Sequence, residues 1–159
     1  MITVELDNFS LKEICQSGQC FRMYETAENT YELIAGDKYL KMTQDGSIVN
    51  FYCSDMEFIC YWVPYFDIDA DYSSYIAKIN PRDTYLVEAA ECGSGIRILQ
   101  QDLWEMIITF LISQQNNISR IRGCVERLCE AYGEKKTSGE KEYYAFPTLE
   151  QLAGASEED

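Results

Sequence analysis

The sequence contains no histidine, which removes the side chain most used to shuttle protons near neutral pH and to bind zinc. Its seven cysteines, at positions 15, 20, 53, 60, 92, 124 and 129, include no C-x-x-C pair. No metal-binding motif is left, and no metal or other cofactor is expected. An odd number of cysteines, with no secretory leader, predicts reduced intracellular thiols, mostly buried as small apolar groups. No apolar run is long enough to span a membrane, and no targeting segment is recognisable. Positive charge is also scarce. Lys and Arg number 13 against 27 Asp and Glu, for a net charge of −14. That balance excludes a generally basic nucleic-acid coat. The deficit is uneven, with six basic against sixteen acidic residues over 1–93 and seven against eleven over 94–159. A polyanion would have to dock on a local patch. A length of 159 residues suits one domain of ordinary size or two small ones, each able to bury a core.

What is present is concentrated between Gly95 and Tyr132. Leu103, Trp104, Met106, Ile107, Ile108, Phe110, Leu111 and Ile112 cover nearly the whole circumference of one helix, leaving Asp102, Glu105, Thr109 and Ser113 as a narrow polar stripe. Such a helix is expected to be buried, with Asp102 and Glu105 capping its start reciprocally. A polar loop, Ser113-Gln114-Gln115-Asn116-Asn117, joins it to an amphipathic helix with Ile118, Ile121, Val125, Leu128 and Tyr132 at helical spacing. Asn117 is the natural N-cap of that second helix. Arg120, Arg122 and Arg127 are expected on its outer face against Glu126, a positive patch on a negative chain. A row of amides at a helix N-terminus, with arginines one turn on, suits an anion such as phosphate. The same spacing also fits an amide-rich interhelical turn with a solvated arginine face.

Upstream, Ile2, Val4 and Leu6 alternate with polar residues as a half-buried strand. Ser10 and Glu13 read as a capping box, with Phe9 and Ile14 as its hydrophobic staple, for a short helix that Ser17-Gly18 stops. Strands are expected at Cys20–Glu25, Thr30–Ala35, Lys38–Gln44 and Ser47–Cys53, the last three joined by turns at Gly36-Asp37 and Asp45-Gly46. Ser54 and Glu57 repeat the capping box for a helix ending by Pro64. Short helices follow at about Tyr72–Ile79 and Thr84–Cys92. Gly93-Ser94-Gly95 is the natural boundary between a sheet domain, 1–92, and a helical region, 93–159. Gly133–Tyr143 reads as a mobile loop, Thr148 caps one more turn through Ala153, and Ser156–Asp159 looks like the start of another element. The fold class is α+β, an antiparallel sheet with short helices followed by the first helices of an all-helical domain.

Two stretches carry a family resemblance. Ser17-Gly18-Gln19-Cys20-Phe21-Arg22 resembles the G-Q-x-F-R motif of the 8-oxoguanine DNA glycosylases, and the segment from Gly95 through Asn116-Asn117-Ile118-Ser119-Arg120 resembles their segment ending in S-x-N-N-N-I-x-R. The family belongs to the helix-hairpin-helix glycosylases. The resemblance implies base-excision repair of 8-oxoguanine paired with cytosine, by a monomer acting on double-stranded DNA, cytoplasmic or, in a eukaryote, nuclear, with no membrane association. Such enzymes extrude the base before acting on it. Guanine N7 accepts a hydrogen bond, whereas N7–H of the oxidised base donates one. A backbone carbonyl therefore separates the two, and the resemblance gives that role to Gly18. It gives Gln115, Asn116, Asn117 and Arg120 the task of holding the orphaned cytosine. Here Gln115 stands where the family usually has asparagine, and Met23 where tryptophan commonly follows F-R.

The resemblance also implies a lysine nucleophile and an aspartate in and after a glycine-rich helical hairpin. Nothing in the sequence matches that hairpin, and lysines 12, 38, 41, 78, 135, 136 and 141 fall on predicted surfaces or loops. The expectation is an amino-terminal fragment, inactive alone, of a longer glycosylase/AP lyase. An alkylated-base glycosylase, or a non-catalytic acidic protein-binding module, are the alternatives left open.

Overall fold

The computed structural model of the chain describes residues 1–155, so the element expected to begin at Ser156–Asp159 lies outside them. Strands β1 (Ile2–Glu5), β2 (Met23–Ala27), β3 (Thr30–Ala35), β4 (Lys38–Asp45) and β5 (Ile48–Phe51) form one antiparallel sheet in the order β1-β5-β4-β3-β2. Alternation sets its faces: Tyr31, Leu33 and Ala35 of β3 are buried while the residues between them are partly exposed. The chain turns at Gly36-Asp37 as expected, with Gly36 at φ 57. The next hairpin closes one residue later than the sequence suggests. Asp45 pairs with Ile48, so the loop is Gly46-Ser47, and glycine rather than aspartate takes the positive φ of 58.

Two of the expected capping boxes are half made. Ser10 accepts from Glu13 N at 3.3 Å to start α1 (Leu11–Gln16), but its own N–H donates to the Gly95 carbonyl. Ser54 accepts from Glu57 N to start α2 (Asp55–Glu57), while the Glu57 carboxylate takes the Trp62 indole N–H at 2.9 Å. This helix does not end by Pro64. It passes through a π-helical stretch, Phe58–Trp62, into α3 (Val63–Tyr65), and so ends one residue after Pro64. Helices α4 (Tyr72–Ile76), α5 (Thr84–Cys92), α6 (Leu103–Ser113) and α7 (Ile118–Tyr132) follow. The stretch after Tyr132 is a hairpin rather than a loop. Strands β6 (Lys135–Ser138) and β7 (Lys141–Tyr144) pair around Gly139, at φ 60, because alternation buries Tyr143. Thr148 and Gln151 make the one complete capping box among the described residues, opening α8 (Leu149–Ala153).

The chain divides into two compact units. One comprises residues 1–20, 24–31 and 41–100; the other comprises 21–23, 32–40 and 101–159. In the first, Phe9, Phe51 and Phe66 pack edge to face, Trp62 lies tilted against Phe66, and Trp62 and Leu11 are fully buried. In the second, Ile121, Val125, Cys129 and Phe146 form the core, with Trp104, Ile108 and Ile112 packed on it.

Helix α6 corrects the expectation of an all-round buried helix. Its buried residues are Glu105 and Thr109, and the apolar stripe Leu103, Met106, Ile107, Phe110 and Leu111 is exposed, Leu103 by 69%. The polar stripe faces inward because it has partners there. The Glu105 carboxylate accepts from Gly36 N at 2.7 Å, the reciprocal half of the Asp102 cap is not made, and Thr109 bonds back to the Glu105 carbonyl. The cysteines need a second correction. None of the seven is in a disulfide, but only Cys15, Cys20 and Cys129 are buried; Cys60 and Cys92 are exposed, the latter on a helix that buries nothing.

Candidate nucleic-acid interface

In the first unit, α1 ends at Gln16, and Gly18 follows in the left-handed region at φ 78. It serves as the helix stop that the sequence suggests. Gly18 is exposed, and no atom lies within 4 Å of where a Cβ would stand. Among the described residues no backbone hydrogen bond ends on its carbonyl. The next side chain is held firmly. Gln19 Nε2 donates to the Arg97 carbonyl at 2.9 Å, and Gln19 Oε1 accepts from Leu99 N at 3.1 Å.

Arg97 is a structural residue to which the sequence reading assigned no role. It is 3% exposed, and its guanidinium donates to four main-chain carbonyls: Asp7 (2.7 Å), Asn8 (2.9 Å), Ala70 (2.9 Å) and Asp67 (3.3 Å). The Tyr72 ring lies 4.2 Å from it, centroid to guanidinium carbon. Burial holds its pKa below the ordinary arginine value, with Tyr72 and Asp67 opposing the shift. The signal was present in the sequence: a lone arginine inside the apolar run Ile96-Arg97-Ile98-Leu99.

In the second unit, Arg22 of the same G-Q-x-F-R segment is 1% exposed and forks onto Glu126, Nε and Nη2 each at 3.1 Å, with Nη2 also on the Tyr144 carbonyl. Burial works against the Arg22 cation, but the Glu126 carboxylate and its neighbours outweigh it and raise the pKa. Glu126 is thus tied inward to Arg22 and does not offset the arginines on the outer face of α7. Burial also pushes the Glu105 carboxyl up, against the bond from Gly36 and the charge of Arg22.

The amide loop divides its labour. Asn117 caps α7 by accepting from Arg120 N at 3.0 Å, and Asn116 closes α6 by donating to the Ile112 carbonyl at 3.2 Å while accepting from Asn117 N. Both amides are held by the backbone. Gln115 is exposed at φ 52, a left-handed conformation uncommon for glutamine, and its side chain makes no hydrogen bond among the described residues. The Arg120 side chain is likewise exposed. Of the exposed amides of the loop, Gln115 alone has a side chain with no hydrogen bond among the described residues, and the exposed Arg120 guanidinium lies one turn on.

The lysines do not resemble an activated amine. Lys135 is ion-paired to Glu142 at 2.8 Å and Lys136 to Asp37 at 3.1 Å, and these hydrogen bonds raise both pKa values, away from the neutral form that attacks. No helix among the described residues is long and apolar enough to cross a membrane.

Residues 1–107 match the family model "8-oxoguanine DNA glycosylase, N-terminal domain", and the chain belongs to that family. It is 27% identical over 173 aligned residues to an N-glycosylase/DNA lyase of Saccharomyces cerevisiae, covering 99% of this chain and 46% of the relative. The fold is similar to the apo crystal structure of Clostridium acetobutylicum 8-oxoguanine glycosylase/lyase, at a TM-score of 0.91 and 36% identity, covering 98% of this chain and 54% of that one. It is equally close, at a TM-score of 0.90 and 37% identity over 96% of this chain and 53% of that one, to the same enzyme on double-stranded DNA with cytosine opposite 8-oxoG. The chain spans about half the length of these relatives.

Proposed function

We propose that these 159 residues serve as the amino-terminal portion of a glycosylase/AP lyase that flips out and excises 8-oxoguanine paired with cytosine. Gly18 supplies the carbonyl that accepts from N7–H of the lesion; Gln115, Asn116, Asn117 and Arg120 form the element that engages the opposite strand. The lysine and aspartate of the chemistry come from residues beyond these. The observation that carries the reading is the division of labour in the amide loop. Asn116 and Asn117 hold the turn rigid, and Gln115 and Arg120, with no hydrogen-bonded side-chain partner among the described residues, are aimed outward on it. A turn needed only to join two helices would not require a left-handed glutamine at its tip. Within this scheme Arg120 reads cytosine, since a guanidinium fork matches an acceptor edge.

Single-turnover excision opposite each of the four bases, in the longer enzyme, tests this. Arg120→Ala is expected to erode the preference for cytosine by roughly 1–3 kcal/mol, the value of a good bidentate base contact. Equal losses opposite every base, with a salt slope smaller by about one, would assign Arg120 to phosphate instead.

A further inference from the structure

The loop that presents Gly18 is short and exposed, yet the residue beside it is tied into the most heavily cross-braced part of the first unit. Residues 95–100 run as a rail without helical or sheet bonding, and almost every position on it is pinned. The Gly95 carbonyl accepts from Ser10 N at 2.9 Å, Ile98 N donates to the Tyr72 hydroxyl at 2.9 Å, and Gln100 N donates to the Tyr65 carbonyl at 2.8 Å. The approach at Gly95 is so close that a Cβ would lie 2.6 Å from that of Ser10. At the centre, Arg97 gathers carbonyls from two separate loops. Two of its four acceptors, Asn8 and Asp67, are non-glycine residues in the left-handed region, at φ 49 and φ 50. Backbone strain of that kind persists where the surroundings over-determine it. The rail is rigid because strain, charge and hydrogen bonds all converge on one buried cation.

Gln19 fastens onto this rail with both ends of its carboxamide. Its NH2 donates to the Arg97 carbonyl and its oxygen accepts from Leu99 N, the pairing a neighbouring β-strand would make, supplied by a side chain. The same Nε2 lies 3.1 Å from Ser17 Oγ, which itself donates to the Ile14 carbonyl in the last turn of α1 at 2.8 Å. Gly18 is thus bracketed: Ser17 ties one side to the helix, and Gln19 ties the other to the rail. Glycine is the most flexible residue and loses the most freedom when fixed. An exposed glycine carbonyl gives a defined acceptor only if its neighbours hold it.

We infer that Gln19 is a positioning residue for Gly18, its carboxamide clamped across Arg97 and Leu99 so that the turn offers the Gly18 carbonyl in one orientation. This rests on the reading of Gly18 as the lesion-recognising carbonyl. The glutamine of the G-Q-x-F-R segment then works through its neighbour and does not itself touch the base.

The test uses two measurements that fail separately. In the 159-residue chain, Gln19→Met keeps the length of the side chain and removes both hydrogen bonds. Backbone 15N relaxation at Gly18 is expected to fall from a rigid order parameter of about 0.85 to below about 0.6, while Gly46, in the distant β4–β5 turn, is unchanged. Exchange of the Leu99 amide should accelerate by roughly tenfold, the worth of about 1.4 kcal/mol. Gln19→Glu, which at neutral pH keeps the acceptor and loses the donor, should fall between wild type and Gln19→Met, and it serves as the second variant if the first folds poorly. An unchanged Gly18 order parameter in both variants overturns the clamp. In the longer enzyme, Gln19→Met should slow single-turnover excision of 8-oxoguanine at least tenfold and leave affinity for an abasic site unaltered. Full excision with a loosened Gly18 would refute the recognition role of Gly18 and leave the clamp as a purely structural tie.

Discussion

Among single residues, Gln115 combines the clearest sequence signal with the clearest strain. Its departure from the family's usual asparagine is visible in the sequence, where it looks like one extra methylene. The structure adds that position 115 is left-handed, at φ 52. Asparagine tolerates that conformation better than glutamine because its short amide bonds locally to the backbone. Gln115→Asn should therefore stabilise the chain by about 0.5 kcal/mol, part of the roughly 1–2 kcal/mol an ordinary residue gives up there, as read from the midpoint of urea unfolding. In the longer enzyme it should also sharpen the preference for cytosine. A lower midpoint would show that the longer amide has found a compensating contact. Gly18, Asn117 and the Asp102 cap were legible in the same way, because a turn or cap is written in the residues that make it. The partners of Arg97 and Arg22 were not, since they lie 27 to 122 positions away in sequence, although an arginine inside an apolar run already marks Arg97.

Elements show the same contrast. Helix α5 begins at Thr84 and ends at Cys92 where an N-cap aspartate and a following glycine place it, and β3 and the Gly36-Asp37 turn follow from alternation and turn chemistry alone. The direction in which α6 faces did not follow. Apolar periodicity identifies a helix that could be buried on any side, and only the Gly36 N–H and Arg22 on other elements select the Glu105 side. The β6–β7 hairpin was hidden by its charges, because one buried tyrosine suffices to fix its register. Helix α7 carries its own testable consequence. Burial pushes the Cys129 thiol up to about 12 from an ordinary 9.0, against the charge of Arg22. With the folded value raised, this contribution to stability is complete below pH 9 and is lost as pH climbs toward 12, where the unfolded chain sheds the proton first. Unfolding midpoints should decline over that window, and less steeply in Cys129→Ala after allowance for its lower starting stability. Parallel slopes would assign the decline to Cys53, raised to about 11, and to Tyr31 and Tyr39, raised to about 12.

At the scale of the whole molecule, the proposed function places recognition on this chain and the reacting groups elsewhere. Incubated with DNA containing 8-oxoguanine and borohydride, these 159 residues should form no covalent adduct, since their lysines are exposed or ion-paired. A trapped product, mapped by mass spectrometry, would place the nucleophile within the chain and overturn the proposed division of the enzyme. The outward stripe of Leu103, Met106, Ile107, Phe110 and Leu111 has a different consequence, colloidal rather than chemical. Five large apolar side chains along one helix make a face that water disfavours and that a second copy can cover, while a net charge of −14 pushes copies apart over a distance that salt shortens. Ionic strength is then the expected handle on association: light scattering should show dispersed molecules in dilute buffer and larger species as added salt screens the repulsion.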